Sequence, residues 1–353
     1  MNVLSLFDGM SCGQQALERV GIKVDNYFAS EIDKYAITVT MANYPNTKQL
    51  GSVVNVDGYS LPKIDLLIGG SPCQSFSFAG KRKGMSTKDE QEILTLDHYL
   101  ELKSQEYEFE GQSYLFWEYM RLLNEVKPKY FLLENVMMGE KWEKILSKAI
   151  GVNPIMINSS LVSAQNRQRL YWTNIGMKPS GLFGDLESTI QQPKDLGILL
   201  KDILEPEVDE KYFLSQKMID GFLGHNKNHE GKTVFVWQPT EGNKKGACLR
   251  ANAALAATDN SIIVHNTMPR SSKTGKGGTG PLKREDGKTY CLDTGQTNAI
   301  QYCGNVRRLT PIECERLQTV KDNYTNHVSD SQRYRMLGNG WTVDVIAHIF
   351  SYI

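Results

Sequence analysis

Residues 2–13 read Asn-Val-Leu-Ser-Leu-Phe-Asp-Gly-Met-Ser-Cys-Gly, an apolar run from Val3 to Phe7 followed at once by glycines at 9 and 13. The amphipathic stretch Gly13 to Val20, closed by Gly21, comes next, so the spacing predicts a strand, a tight turn and a helix. Glycine in such a turn lets a ligand approach the backbone, and the helix start offers N–H groups with no partner inside the helix. Glu31 stands 22 residues beyond Gly9, at the end of the next apolar run, Tyr27 to Ser30. A carboxylate at that place can take both hydroxyls of a ribose. Together the two pieces point to an adenosine cofactor, a dinucleotide or S-adenosylmethionine, although a tight turn followed by a surface glutamate reads the same way.

The alternation continues outward. Asp33 to Asn43 reads as a helix stopped before Pro45, and Ile64 to Ile68 as a continuous apolar strand ending in Gly69-Gly70. Tyr114 to Val126 reads as a helix punctuated by Pro128, and Tyr130 to Leu133 as another buried strand. Ile155 to Val162 and Leu170 to Ile175 complete a mostly parallel sheet covered by helices. After Gly176 the chain turns to Gly, Asn, Lys and Thr, as in SSKTGKGGTGPLKREDGK, which predicts a loop-rich second domain. Helical patterning returns over Thr310 to Gln318 and Thr342 to Tyr352, with Leu337 to Gly340 read as a turn opening the last helix. The expected organisation is therefore 1–176, 177–305 and a return to the first domain over 306–353.

Composition narrows the function classes. At 353 residues, 40% hydrophobic and 23% charged, the chain has globular usage, which excludes collagen-like and wholly disordered readings. No stretch approaches the roughly 20 apolar residues of a membrane span, and the N-terminus carries no basic region of a signal peptide, so a cytoplasmic protein is expected. Six scattered cysteines without a C-x-x-C pair argue against a zinc site or disulfide framework. The formal net charge of zero hides segregation: residues 225–308 hold 13 Lys and Arg against 6 Asp and Glu, whereas 86–110 hold 2 against 8. The first region suits phosphates.

Three constellations carry chemistry. Cys73, in Gly70-Ser71-Pro72-Cys73-Gln74, lies just past an apolar strand, where open α/β sheets place their ligand chemistry. With Lys81, Arg82 and Lys83 nearby its thiol is a candidate nucleophile of lowered pKa, a small buried hydrophobe being the equal alternative. Glu134-Asn135 follows a second apolar strand. Burial among apolar residues would keep that carboxyl protonated near neutrality and able to donate, unless the pair is simply a helix cap through Asn135. In Gln165-Asn166-Arg167-Gln168-Arg169, extended geometry puts Gln165, Arg167 and Arg169 on one face, where the arginines would meet carboxylates or phosphates. A solvated basic turn is the bland alternative.

The order of the pieces is more specific than any of them. FDGMSCG, SEID, GGSPCQ, GQSYLF, LLENV, QNRQR, RRLTPIECERLQ and MLGNGWTV follow one another as in the cytosine-C5 DNA methyltransferase family, over about residues 1–175 and 306–353. PCQ and RRLTPIECERLQ resemble the bacterial and phage enzymes most. The resemblance implies an α/β fold, with a Rossmann-like S-adenosylmethionine-dependent methyltransferase domain and a smaller, loop-rich target-recognition domain over 177–305. It implies Cys73 as nucleophile and Glu134 as acid, with Asn135 near the base and Gln165, Arg167 and Arg169 lining the base pocket or holding Glu134. Phe7, Asp8, Gly9, Gly13, Glu31, Ile32, Ser52, Pro72, Leu115, Asn339 and Trp341 would surround S-adenosylmethionine, with no metal. The implied partner is double-stranded DNA, with a cognate restriction enzyme if the chain serves a restriction-modification pair, and the implied state is a monomer.

The chain departs from the family pattern in three places. Gly51-Ser52 stands where the family has Gly-Asp, Ile32 where many members have an aromatic residue, and the acidic stretch 86–110 lengthens the loop after PCQ. Like charges near DNA cost roughly 1 kcal/mol per close pair even in water. That stretch is therefore expected to project away from the duplex, with Ile93, Leu94, Leu96, Leu100 and Leu102 forming a short helix packed on the protein's outer face or on a partner, and Lys88 to Phe109 to be replaceable by a Gly/Ser linker. Rival readings are an RNA cytosine methyltransferase, which would carry a smaller recognition region, and a non-catalytic DNA-binding homologue, which would lack Cys73 or Glu134. A nicotinamide dehydrogenase would leave PCQ and QNRQR unused. Replacing Lys244, Lys245, Lys273 and Lys276 by alanine is expected to weaken binding to every DNA sequence and to flatten the dependence of log K on log salt by about 0.9 for each phosphate that is no longer neutralised. Binding isotherms across a salt series measure this, and an unchanged slope would place the DNA face elsewhere.

Overall fold

The computed structural model describes residues 1–72, 85–89, 91–180, 185–215, 263–266, 282–284, 286–292, 298–302 and 305–353. Cys73, Lys81 to Lys83 and the four lysines named above lie outside the described residues. A seven-stranded sheet is built from β1 (Asn2–Leu6), β2 (Asn26–Ser30), β3 (Lys48–Gln49), β4 (Leu66–Gly70), β5 (Tyr130–Val136), β6 (Ile155–Asn158) and β8 (Gln168–Thr173), in the order β3-β2-β1-β4-β5-β8-β6. The pairs β2·β3, β1·β2, β1·β4 and β4·β5 are parallel, and β8 is antiparallel to both its neighbours. Successive residues of a strand point to opposite faces. Val3, Leu66, Ile68 and Leu132 accordingly enter one core, and Leu4, Leu67, Phe131 and Leu133 the other.

Helices cover both faces. On the first lie α1 (Cys12–Arg19) and, returning from the far end of the chain, α8 (Val343–Phe350), joined by the Arg19–Asp344 ion pair. The second face carries α4 (Phe116–Val126) and α5 (Glu140–Ile150). The remaining helices are α2 (Lys34–Asn43), α3 (Leu96–Ser104), α6 (Pro311–Leu317) and α7 (Asp330–Asn339). The two-residue strand β7 (Gln165–Asn166) pairs with β13 (Thr289–Tyr290), and β9 (Met177–Ser180) with β10 (Asp185–Ser188). A four-stranded sheet orders β11 (Ile263–Asn266), β12 (Leu282–Arg284), β14 (Asn298–Tyr302) and β15 (Asn305–Arg308) as β12-β11-β14-β15.

The structure corrects several sequence expectations. Strand β5 runs on to Val136, so Glu134 and Asn135 lie inside it. The strand expected over Ile155 to Val162 stops at Asn158, whose side chain accepts from Ser160 N and Arg167 N and turns the chain. Leu337 to Gly340 does not open the last helix; it is the end of α7, which stops at Gly340. Helix α5 was not anticipated, yet Trp142, Ile145, Leu146 and Ala149 recur at helical spacing before Gly151, the left-handed residue that ends it.

The acidic stretch is bound into the fold. Its residues Ile93, Tyr99 and Leu102 are buried in the second core, while Leu94 and Leu100 are exposed. Glu118 of α4, fully buried, accepts from Tyr99 Oη at 2.5 Å, Lys103 Nζ at 2.5 Å and Arg121 Nε at 2.7 Å. The expected short helix forms as α3 and packs on the protein; since a buried carboxylate stripped of such partners is costly, replacement of the stretch by a linker is not expected to be neutral for stability. Lys103→Met should lower the unfolding free energy by about 1–3 kcal/mol in a denaturant titration, and a Gly/Ser linker in place of 88–109 should destabilise the protein further.

The turn after β1 is strained. Phe7, Gly9 and Ser11 all take left-handed backbone, with φ of 57°, 58° and 59°. At non-glycine residues this costs on the order of 1–3 kcal/mol each. Ser11 N bonds to Asp8 O at 3.1 Å and Asp8 N to Ser30 O at 3.2 Å, and the Asp8 carboxylate accepts from the Ser11 hydroxyl and from Tyr27 Oη at 2.8 Å. Enclosure by protein pushes the Asp8 carboxyl up to about 6, against the hydrogen bonds from Ser11, Ser5 and Tyr27, with the Glu31 charge adding to the rise. A folded value above the unfolded one means stability that is present below about pH 4 and lost as pH rises through about 6. The stability of the native chain relative to Asp8→Asn should therefore fall by on the order of 3 kcal/mol between pH 4 and 7, read from denaturant midpoints across that range.

Candidate active site

The carboxyl ends of β1, β2, β4 and β5 converge at the point where strand order reverses, the place where open α/β sheets bind ligands. The β4·β5 register sets Gly70 beside Glu134. One residue on, buried Asn135 donates Nδ2 to Ser71 Oγ at 3.0 Å and Ser71 O at 3.3 Å, and its Oδ1 accepts from Val136 N. Asn135 is thus no helix cap. It anchors Ser71-Pro72, the residues that lead into Cys73.

Glu134 is buried at the end of β5, but its surroundings are not the apolar ones expected. Arg169 Nε lies 3.0 Å from Oε1, and Trp341 Nε1 donates to Oε2 at 3.1 Å. Arg169 reaches the carboxylate because antiparallel β8 places it opposite Val136, a diagonal neighbour of Glu134. A Cβ on Gly70 would stand 3.0 Å from the Trp341 nitrogen and 3.1 Å from Glu134 Oε2, tight enough that the two side chains would have to shift by a few tenths of an ångström.

Of the three residues expected to line the base pocket or hold Glu134, Arg169 holds Glu134, while Gln165 and Arg167 bond to other groups. Arg167, buried, donates to Gly338 O and Gly340 O and to Cys291 Sγ at 3.0 Å. Gln165 donates to Leu317 O at 2.6 Å and Gln318 Oε1 at 2.9 Å. Both therefore hold the C-terminal segment to the sheet. The RRLTPIECERLQ motif supplies the rest of that brace. Thr310 and Glu313 form a capping box at the start of α6, and the buried pairs Arg307–Glu313 and Arg333–Glu315 fix it. Sequence reasoning gave this motif no role, although Thr-Pro-x-Glu is a legible capping signal.

Three described cysteines differ in chemistry. Burial pushes the Cys12 thiol up to about 12, out of thiolate chemistry, and Cys314 is also buried. Burial raises the Cys291 thiol too, but the guanidinium groups of Arg167 and Arg169 outweigh it and hold it below the ordinary thiol value. Cys291 was missed, since only the β7·β13 pairing brings it to the arginines.

On the β1–β2 side, Glu31 Oε2 accepts from Gly9 N at 2.8 Å, and Oε1 from Ile32 N and Asp33 N at 2.7 and 2.8 Å. A carboxylate has about four lone-pair positions, so one is left for a ribose hydroxyl. Ile32 beside it is 71% exposed, an apolar surface for a flat ring. Gly9 leaves open space where a side chain would stand, whereas a Cβ on Gly13 would run into Ile68 and come within 2.9 Å of the Tyr27 hydroxyl. Gly13 therefore serves the packing of α1 onto the sheet. Ser52 opens the 3-10 turn Val53–Asn55, Leu115 and Phe7 are half-buried, and Asn339 is exposed at the end of α7. This combination of bare backbone, acceptor and apolar shelf fits an adenosine.

The whole chain, residues 1–353, matches the family described as C-5 cytosine-specific DNA methylase. Its relatives include the orphan methyltransferase M.SPRI of Bacillus phage SPR, 26% identical with 99% of this chain and 96% of that one covered. The type II methyltransferase M.NlaX of Neisseria lactamica is 28% identical over 98% and 94%. Among solved structures, a putative DNA modification methyltransferase encoded within an E. coli prophage shares the fold with a TM-score of 0.57, at 19% identity and 100% and 98% coverage. Entamoeba histolytica methyltransferase EhMeth does so with a TM-score of 0.60, at 15% identity and 100% and 97% coverage. With a match that runs from end to end and a sheet that gathers this site at its carboxyl edge, the chain belongs to the C-5 cytosine-specific DNA methylase family.

Proposed function

We propose that the chain transfers a methyl group from S-adenosylmethionine to C5 of a cytosine flipped out of a specific duplex DNA sequence, through a covalent bond between Cys73 and C6. The observation that carries the reading is the Gly70–Glu134 register, with Asn135 on Ser71. It sets Gly70 and Ser71, which precede Cys73 in the sequence, beside Glu134 and Asn135, and this supports a thiol and a carboxyl acting on one base. S-adenosylmethionine supplies an electrophilic methyl group when bound. Gly9, Glu31, Ile32 and Ser52 hold its adenosine, with Phe7, Pro72, Leu115 and Asn339 around it.

The chain's residues do the rest. C5 of cytosine is too weak a nucleophile in an aromatic ring, and addition of the Cys73 thiolate at C6, with Glu134 giving a proton to N3, makes it an enamine carbon. After methylation, loss of the C5 proton expels Cys73 and restores the ring. A stacked base cannot reach such a pocket, so the cytosine is unstacked at a cost of a few kcal/mol. Region 177–305 is the target-recognition domain and 306–353 the return to the catalytic domain. The enzyme works as a cytoplasmic monomer on double-stranded DNA, alone or beside a cognate restriction enzyme.

Cys73→Ala should abolish methyl transfer while leaving S-adenosylmethionine binding within about threefold. On DNA carrying 5-fluorocytosine the native chain should form a stable adduct, since fluorine cannot leave as a proton does, and peptide mapping should place it on Cys73. An adduct on Cys291, the described thiol of lowered pKa, or turnover by Cys73→Ala, would overturn the assignment.

A further inference from the structure

Trp341 stands between α7 and α8, on a segment expected to touch the cofactor, and its indole nitrogen meets Glu134. Nε1 donates to Glu134 Oε2 at 3.1 Å, across 207 residues of chain. Arg169 Nε holds the other oxygen, Oε1, at 3.0 Å. With each oxygen fixed by a donor from a different element, the carboxyl cannot rotate without losing one of them.

Independent features keep the indole in place. Gly70 leaves it room, as a Cβ there would stand 3.0 Å from Nε1. The backbone just before it is gripped from two directions. Arg167 donates to Gly340 O at 2.9 Å and Gly338 O at 3.3 Å, and Gln318 Nε2 donates to Leu337 O at 2.7 Å and Gly340 O at 3.2 Å. Arg167 and Arg169 leave the same short stretch of chain, so one segment holds the carboxylate directly and the support of the indole as well.

We propose that Trp341 is a positioning residue for Glu134, aiming its carboxyl at the target base and stabilising the carboxylate left behind when the base is protonated. The inference rests on the cytosine methyltransferase reading. As the Cys73 sulfur bonds to C6, the C5–C6 π pair moves to C4–C5 and the C4–N3 π pair onto N3, which takes the proton from Glu134. The negative charge then resides on a carboxylate already facing Arg169 and the Trp341 N–H. The proton returns to Glu134 when the sulfur leaves.

Trp341→Phe keeps a ring and removes the donor. Loss of a hydrogen bond to a charged group should lower kcat roughly 10- to 100-fold, with the KM and the directly measured Kd for S-adenosylmethionine within about threefold. An unchanged kcat with a raised Kd would make Trp341 a cofactor contact instead and overturn the proposal. A second readout needs no turnover. In the chain labelled with 15N-tryptophan, the indole resonance that disappears in Trp341→Phe should shift in Glu134→Gln, while the other four tryptophans stay in place. An unmoved resonance contradicts the contact. If the native chain methylates no DNA, the functional reading falls, and the indole shift still decides the hydrogen bond.

Discussion

A carboxyl group carried into the interior by a buried strand has to find partners there, because a polar group left unsatisfied in the interior loses more than a surface contact returns. Glu134 finds Arg169 on one oxygen and Trp341 on the other. Much of the architecture follows from that requirement. Strand β8 runs antiparallel to β5 and brings Arg169 diagonally across, the C-terminal segment returns over the sheet and brings Trp341, and Gly70 leaves the contact without crowding. The braces around Thr310, Gln165 and Arg167 secure that return.

The same sheet brings the Glu31 and Glu134 parts of the candidate site to one edge. Parallel pairing of β2, β1, β4 and β5 makes all four strands end on one edge, so the loops after them meet. Period-2 alternation along each strand supplies two cores, and the buried Glu118 network ties the acidic stretch to one of them. The strained turn over Phe7 to Ser11 persists because Asp8 and Glu31 bind its backbone and side chains from both sides.

Local patterning made the catalytic half legible. The strands around Val3, Tyr27, Ile64 and Tyr130, and the helix begun at Asp33, are governed by continuous apolar runs, caps and glycines that act within a few residues. What stayed hidden depends on partners distant in sequence. Nothing local to Arg167 and Gln165 announces their hydrogen bonds to the C-terminal segment, and Cys291 gains its cationic neighbours through β13. A count of acids over 86–110 does not reveal that Tyr99 and Lys103 face a buried Glu118. The Trp341 motif carries no sign of the glutamate 207 residues away to which its indole donates.

Bisulfite sequencing of DNA from a host without cytosine methylation of its own, expressing either the native chain or Glu134→Gln, bears most directly on the account. The native chain should protect cytosines at one recurring sequence, and Glu134→Gln, folded and still binding S-adenosylmethionine, should protect few or none. Full protection by Glu134→Gln, or no protected cytosine in DNA from the native chain, would contradict it.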